Sequence, residues 1–257
     1  MYCANGIAER LVPLFESFDD SVLSTYFEGI YGDAYSDNID VPNSAVIVSG
    51  DFYFCAGDEN FAKEAVILGR NNKNAVYVPQ NKEWTDALLK EDSRLFVTDR
   101  YHMSAPKDGF DTKKLEEIKE KISDLAECRL ELINEAYYNK AKENDWSAAF
   151  VSNFKDWWEF SHKAFGYVMT KNGEILSGCS CYTYYSKGFE IEVATAPEYR
   201  RKGLAKICAA AFLLECVRRG ARPHWDARNE MSRRIAEKCG FVFKDKYTAL
   251  EYRQEEF

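Results

Sequence analysis

Long apolar runs are missing from this chain of 257 residues: the longest, Ile207–Leu214, is far short of the ~20 apolar residues that cross a bilayer, so no membrane partner is expected. Histidine is scarce, at three residues, and no Ser-His-Asp or Cys-His set is evident, which argues against a covalent acyl-enzyme. The eight cysteines never fall in Cys-x-x-Cys spacing, and most sit in apolar patterns. They read as reduced core thiols, without a zinc site or other metal centre and without a disulfide framework. Residues Met1–Phe18 lack a basic region ahead of an apolar core, and there is no Asn-x-Ser/Thr sequon. No signal peptide and a cytoplasmic location are therefore expected. Two nucleotide motifs are also absent: no Gly is followed five residues later by Gly-Lys-Ser/Thr, and no Gly-x-Gly-x-x-Gly follows a strand.

Aromatic residues, by contrast, are plentiful at 15%, and the length is enough for one large or two small domains with a packed core. The net charge of −8 is unevenly spread. Residues 200–234 hold ten Lys/Arg against three acids, a local +7 that leaves −15 elsewhere. A basic pocket in an acidic chain suits a compact polyanion. It suits nucleic acid poorly, because a nucleic acid needs a broad basic face. Acidic surroundings favour a cationic substrate, or serve solubility.

The stretch Phe189–Ala205 organises the rest. Glu190-Ile191-Glu192-Val193 alternates polar and apolar, as a half-buried strand does, and Pro197 ends the ladder. From Arg201 the period becomes helical, with Leu204, Ile207, Cys208, Ala211, Leu214 and Val217 at steps of three and four. A helix start carries unpaired N–H groups and about half a positive charge. Arg200, Arg201 and Lys202 stand there against the dipole, which makes sense if an anion supplies the negative charge. Gly203, without a Cβ, lets that anion near the backbone. The spacing predicts a phosphate cradle of main-chain N–H groups with cations around it.

Arg200-x-x-Gly203-x-Ala205, after a strand and a Pro-Glu-Tyr turn, resembles the acetyl-CoA signature of the GNAT acetyltransferases. The longer run from Ile191 to Ala205 resembles their two-domain branch, typified by zwittermicin A resistance acetyltransferases, firmly from about Phe165 to Tyr252. Asn229-x-x-Ser232-x-x-Ile235-Ala236-x-x-x-Gly240-Phe241 is similar to the family's second motif. The resemblance implies acetyl-CoA as cofactor. It is then held by Val193, Ala194, Thr195, Arg200, Arg201, Lys202, Gly203, Leu204, Ala205 and Lys206, with Asn229 and Ser232 along the pantetheine arm. Asn229 also reads as an ordinary helix N-cap. Where many members carry a tyrosine thought to protonate the leaving thiolate, this chain has Ala236. A thiol of pKa about 8.5 leaves adequately without that help.

Along the chain, Gly6–Phe18 reads as an amphipathic helix with Pro13 as a kink or break, followed by a polar, Tyr-rich connector to Asn43. Ser44–Gly57 is a hairpin around Gly50-Asp51; Asn60–Leu68 is a short helix; Val76–Val78 and Leu95–Thr98 are strands with a helix near Thr85–Lys90 between them. Tyr101-His102-Met103 is noted without a role. Residues 1–110 form a small α/β domain with no catalytic motif, degenerate in relation to the second half by element order. Residues 111–127 form a charged connector helix, and 128–257 the second domain. That domain begins with a strand at Cys128–Ile133, then helices at Glu135–Asn144 and Asn153–Lys163. Trp157, Trp158, Phe154, Phe160 and Phe165 read as core, or as a cavity wall. Strands follow at Gly166–Met169 and Ile175–Tyr184, joined at Asn172-Gly173, with Cys179 and Cys181 as packing residues. After the central helix, closed at Gly220, come a short strand at His224–Ala227, a helix at Glu230–Cys239, and strands at Phe241–Phe243 and Tyr247–Tyr252. The expected fold is a mixed, mostly antiparallel sheet between helices, splayed at the central strand.

Direct acetyl transfer to an amine requires loss of a proton from the amine, a polarised thioester carbonyl, and both groups held together. A main-chain N–H in Val193–Thr195 is the family's polariser. For the base, Glu192 comes first and Glu190 second, both on one strand face; each also reads as a solvated or salt-bridged residue. Asp226 is third, as base or amine anchor, and His224 ranks low. The sequence thus points to an acetyl-CoA-dependent N-acetyltransferase acting on a primary amine of a small molecule, with antibiotic detoxification one use the resemblance suggests. An acyl-CoA-binding regulator and a protein or peptide N-acetyltransferase stay open. The acceptor, the oligomeric state and the role of the first half are not legible.

Overall fold

A computed structural model describes residues 1–253. The chain forms two compact units, Met1–Arg100 with the C-terminal segment from Lys246, and Tyr101–Asp245. The sequence reading placed a connector helix at 111–127 and the second domain at 128–257; here the chain passes from one unit to the other within two strands, after Arg100 and after Asp245, and its last strand finishes in the first unit.

The first unit comprises β1 (Tyr2–Cys3), α1 (Ala8–Phe15), α2 (Ser21–Phe27), β2 (Asp33–Ser36), β3 (Ser44–Ser49), β4 (Phe52–Gly57), α3 (Ala62–Gly69), β5 (Val76–Pro79), α4 (Lys82–Glu91) and the start of β6 (Leu95–Ser104). Its strands run β1-β2-β3-β4-β5, and the end of the C-terminal strand adds beside β5, with Leu250 opposite Tyr77. The segment read as a connector to Asn43 holds α2 and β2. Asp20 starts α2 by accepting the Val22 N–H at 2.7 Å, a cap masked in the sequence by the polar residues around it. Pro13 lies inside α1 without ending it. Tyr53, Tyr77, Trp84 and Leu88 are buried in this unit's core.

The second unit continues with α5 (Thr112–Glu120), β7 (Cys128–Leu132), α6 (Glu135–Ala141), α7 (Asp145–Ala148), α8 (Trp157–Lys163), β8 (Gly166–Lys171), β9 (Glu174–Tyr185), β10 (Gly188–Thr195), α9 (Leu204–Arg219), β11 (Arg222–Ala227), α10 (Glu230–Lys238) and β12 (Val242–Tyr252). The strand order, from the end of β6, is β6-β11-β10-β9-β8-β7; β10 and β11 run parallel and the other pairs antiparallel. This is the expected mixed, mostly antiparallel sheet with helices. Several elements differ in extent from the sequence reading. The connector helix stops at Glu120, and Glu127 turns the chain with φ +64°. The helix expected from Asn153 starts only at Trp157, because Asp156 accepts the Glu159 N–H. The two final strands are one, β12.

α9 is buried along nearly its whole length, Leu204, Ile207, Cys208, Phe212 and Cys216 included, and packs on β8, β9 and β10. Phe212 stacks on Phe165 with centroids 4.5 Å apart. Each such side chain contributes about 1.5–3 kcal/mol by leaving water, so α9 anchors the strand-to-helix loop that precedes it. Phe154, Phe160 and Phe165 belong to this core, while Trp158 is 65% exposed and stacks on His162.

Candidate functional site

The element order repeats. Hairpin, helix and parallel strand occur as β3-β4-α3-β5 in the first unit and β9-β10-α9-β11 in the second. The two parallel pairs behave differently. β4 and β5 stay paired along all of β5, from Phe52↔Val76 to Cys55↔Pro79. β10 and β11 pair only at Gly188↔Arg222, Phe189↔Pro223 and Glu190↔His224. Beyond that point β11 turns to β6, with Trp225 opposite Met103, while β10 continues against β9 alone. A cleft therefore opens from Ile191 to Thr195. Its wall is the edge of β10, where alternate main-chain N–H and C=O groups point to the side that β11 has left.

Two local features fix this vertex. A Cβ at Gly188 would lie 1.7 Å from the Arg222 carbonyl oxygen, so only glycine allows the close approach at the closed end. At the open side, β9 and β10 shift register between Glu190 and Ile191, so Thr183 pairs with Glu190 and Cys181 with Ile191, leaving Tyr182 between. Such a bulge bends the strand and sharpens its twist.

The cleft leads to the cationic loop. Arg201 and Gly203 adopt left-handed backbone, φ +63° and +83°, and Gly203 is the N-cap of α9. A Cβ at Gly203 would meet nothing within 4 Å. Its positive φ is a backbone conformation that side chains rarely adopt, which by itself favours glycine here. No side chain caps α9 and no acid lies in its first turn, so the N–H groups of Leu204, Ala205 and Lys206 face outward under a positive dipole end. Arg200, Arg201 and Lys202 are exposed there; Arg200 Nε donates to the Thr195 carbonyl at 3.3 Å, and Lys202 Nζ lies 4.7 Å from the Tyr199 ring centre. At the matching place in the first unit the loop carries Asp58 and Glu59, and the Asp58 carboxylate accepts the Asn60 N–H. An anion is disfavoured there.

Of the acidic candidates, Glu190 is 5% exposed and its Oε1 accepts the Asp226 N–H at 2.8 Å, linking the two strands where they part. That bond ties the two strands at the vertex, a partner on β11 that alternation within β10 does not reveal. Glu192, half-buried and opposite Ser180, lies further into the cleft on the same face. Asp226 is half-buried on β11, opposite His102, whose Nδ1 lies 2.6 Å from Asp245 Oδ1. Asn229 is the α10 N-cap, accepting the Ser232 N–H at 3.0 Å, and Ser232 Oγ accepts the Trp225 indole N–H at 3.0 Å. Ala236 is fully buried in the core. One pair was missed in the sequence: Tyr185 Oη and His224 Nε2 are hydrogen-bonded at 2.5 Å. The signal available was that His224 and Asp226, two apart on a strand, share a face.

Among the described residues, no helix is long and apolar enough to cross a membrane. The sequence profile of the GNAT acetyltransferase family matches residues 12–250. A Bacillus subtilis protein named as an uncharacterized N-acetyltransferase, YdfB, is 27% identical over 251 residues, 90% of this chain and 91% of that protein. The crystal structure of a GCN5-related N-acetyltransferase-like protein from Streptococcus suis is 33% identical and superposes with a TM-score of 0.88, covering 97% of this chain and 100% of that one. A tandem GNAT protein from the clavulanic acid biosynthesis pathway shares the fold at 11% identity, TM-score 0.55, over 98% of this chain and 97% of that one.

Proposed function

The chain belongs to the GNAT acetyltransferase family, and from that premise we propose that it moves an acetyl group from acetyl-CoA to a primary amine of a small molecule, by direct transfer in a ternary complex. The observation that carries this reading is the parting of β10 from β11 after Glu190, which opens a main-chain edge leading straight to the uncapped, cationic start of α9. The pyrophosphate lies on the N–H groups of Gly203–Lys206, with Arg200, Arg201 and Lys202 around it. The pantetheine follows the edge Val193–Thr195, past Asn229 and Ser232. A main-chain N–H of this edge polarises the thioester carbonyl at the vertex. Glu192 accepts the amine proton, Glu190 holds the vertex, and Asp226 lies on the opposite wall as an anchor for the ammonium. The acidic charge outside residues 200–234 supports a cationic acceptor, and a cytoplasmic location is consistent with the thiols described below.

The test is isothermal titration with acetyl-CoA and CoA, then thiol release over a panel of primary amines. Stoichiometric binding with release on some amines is the expected result. Binding without release on any amine overturns the transfer reading, and no binding overturns the site.

A further inference from the structure

Acetyl transfer to an amine that arrives as ammonium yields one proton in excess. Glu192 takes the first N–H proton, and the freed lone pair forms the bond to the acetyl carbon. The C–S bond then breaks with its electron pair on sulfur, and the second N–H proton neutralises the thiolate. The first proton must still leave a half-buried carboxylate before the next turnover.

A line of polar side chains runs from the vertex away from the cleft, on the face that carries Glu190 and Glu192. His224 is the cross-strand neighbour of Glu190 in the parallel pair. Tyr185 stands opposite Gly188, one row further, and its hydroxyl reaches His224 Nε2 at 2.5 Å, with ring planes at 65°. The two residues sit on β9 and β11, with β10 between them. Gly188, which has no side chain, lies on β10 in the row where the phenol ring must cross. Tyr185 is half-exposed at the end of its strand, followed by exposed Ser186 and Lys187. Buried carboxylate, imidazole, phenol and solvent thus follow in order along one face. An imidazole can accept and release a proton near neutral pH.

We propose that His224 and Tyr185 are the exit of a proton relay for this transferase, carrying the amine-derived proton from the carboxylates at the vertex to bulk water. The proposal rests on the transferase reading above. His224 accepts the proton passed through Glu190 and becomes imidazolium. Nε2 then gives a proton to Tyr185 Oη as the phenol releases its own to water, leaving both side chains neutral. The charged and titratable groups beside His224 are Arg222 and Asp226 on its own strand, Glu190 on β10 and Tyr185 on β9; α7, the short helix packed against β10, begins with Asp145. Neither relay residue touches the acetyl group, so both act through the carboxylates.

Tyr185→Phe removes one oxygen and keeps the ring, and His224→Gln is the companion variant. Initial rates of thiol release are taken with acetyl-CoA and n-propylamine, ethanolamine and spermidine from pH 6 to 9, in water and deuterium oxide. Both variants are expected to lose about tenfold in kcat at the lower pH values, less than the ~10²–10⁴-fold of a general base because neither residue touches the reacting amine. The KM for acetyl-CoA should stay unchanged, the solvent isotope effect should rise, and added free imidazole should restore part of the rate. Unchanged kcat and isotope effect in Tyr185→Phe, with active wild type, overturn the relay alone. A loss that appears only in KM, or that imidazole does not restore, also overturns it. Wild type that releases no thiol with any amine overturns the transfer reading, and the relay with it.

Discussion

The Glu190 carboxylate accepts the main-chain N–H of Asp226 at 2.8 Å, two residues beyond His224, the last β11 residue paired with β10. An acceptor from one strand replaces the ladder bond that the other strand has lost. Removing it leaves a half-buried N–H without that partner, and the cost of such a group is about 1–3 kcal/mol. Glu190→Ala should therefore lower the free energy of urea unfolding by about that amount, while Glu190→Gln, which keeps a carbonyl oxygen, should lose less than half of it. Equal losses in both variants would mean that the bond is not what holds the vertex.

Glu192 lies deeper in the cleft and carries the proposed base. Glu192→Gln should reduce kcat by about 10²–10⁴-fold, the usual range for a general base, with acetyl-CoA affinity unchanged by titration. A kcat within a factor of a few of wild type would pass the role to Asp226, whose Asp226→Asn variant is measured alongside.

Gly203 holds φ +83° at the start of α9. A β-branched residue there is strained by about 1–2 kcal/mol, and the N–H groups behind it lose their alignment. Gly203→Val should weaken acetyl-CoA binding about tenfold or more, whereas Gly203→Asn, which tolerates left-handed backbone, should stay close to wild type. Similar affinities in titrations of all three proteins would move the phosphate away from this loop.

Cys55, Cys179, Cys181, Cys208, Cys216 and Cys239 are buried, Cys128 is half-buried and Cys3 is exposed. Burial pushes the Cys208 and Cys239 thiols up to about 12, so they stay protonated and unreactive at neutral pH. With a chromogenic disulfide reagent, Cys3 should react fast, Cys128 slowly, and the buried six only after denaturation. Rapid reaction of more than two thiols in the native protein would contradict this packing.

Glu215 on α9 is held at about 2, foremost by its hydrogen bond to Arg218, against the opposing effect of burial and with further help from Arg219. Its carboxylate is lower in the folded than in the unfolded chain, so its stabilisation is present above about pH 4.5 and is lost as pH falls towards 2. Because the arginines are largely exposed, the contribution is on the order of 1 kcal/mol. Glu215→Gln should remove that much stability at pH 7 and flatten the decline in urea midpoint between about pH 4.5 and 2. An acid limb as steep as wild type would place the linkage elsewhere.

The amino-acid sequence alone determined the strand–Pro–helix join at Thr195–Leu204, the Ser44–Gly57 hairpin, the Asn172-Gly173 turn, the Asn229 cap and the long apolar stripe of α9. Each depends on residues within a few positions of one another, through side-chain alternation, helical period, capping and the φ that glycine or asparagine permits. Tertiary structure decided the vertex. β10 and β11 part because β11 leaves to pair with Tyr101–Met103, far earlier in the chain, and the final strand ends beside β5 in the other unit. Long-range pairing of this kind is set by which faces bury one another, and no local pattern carries it. The same reason tied Glu190 to the Asp226 N–H and brought Tyr185 to His224: both contacts cross between strands whose register only the folded sheet defines.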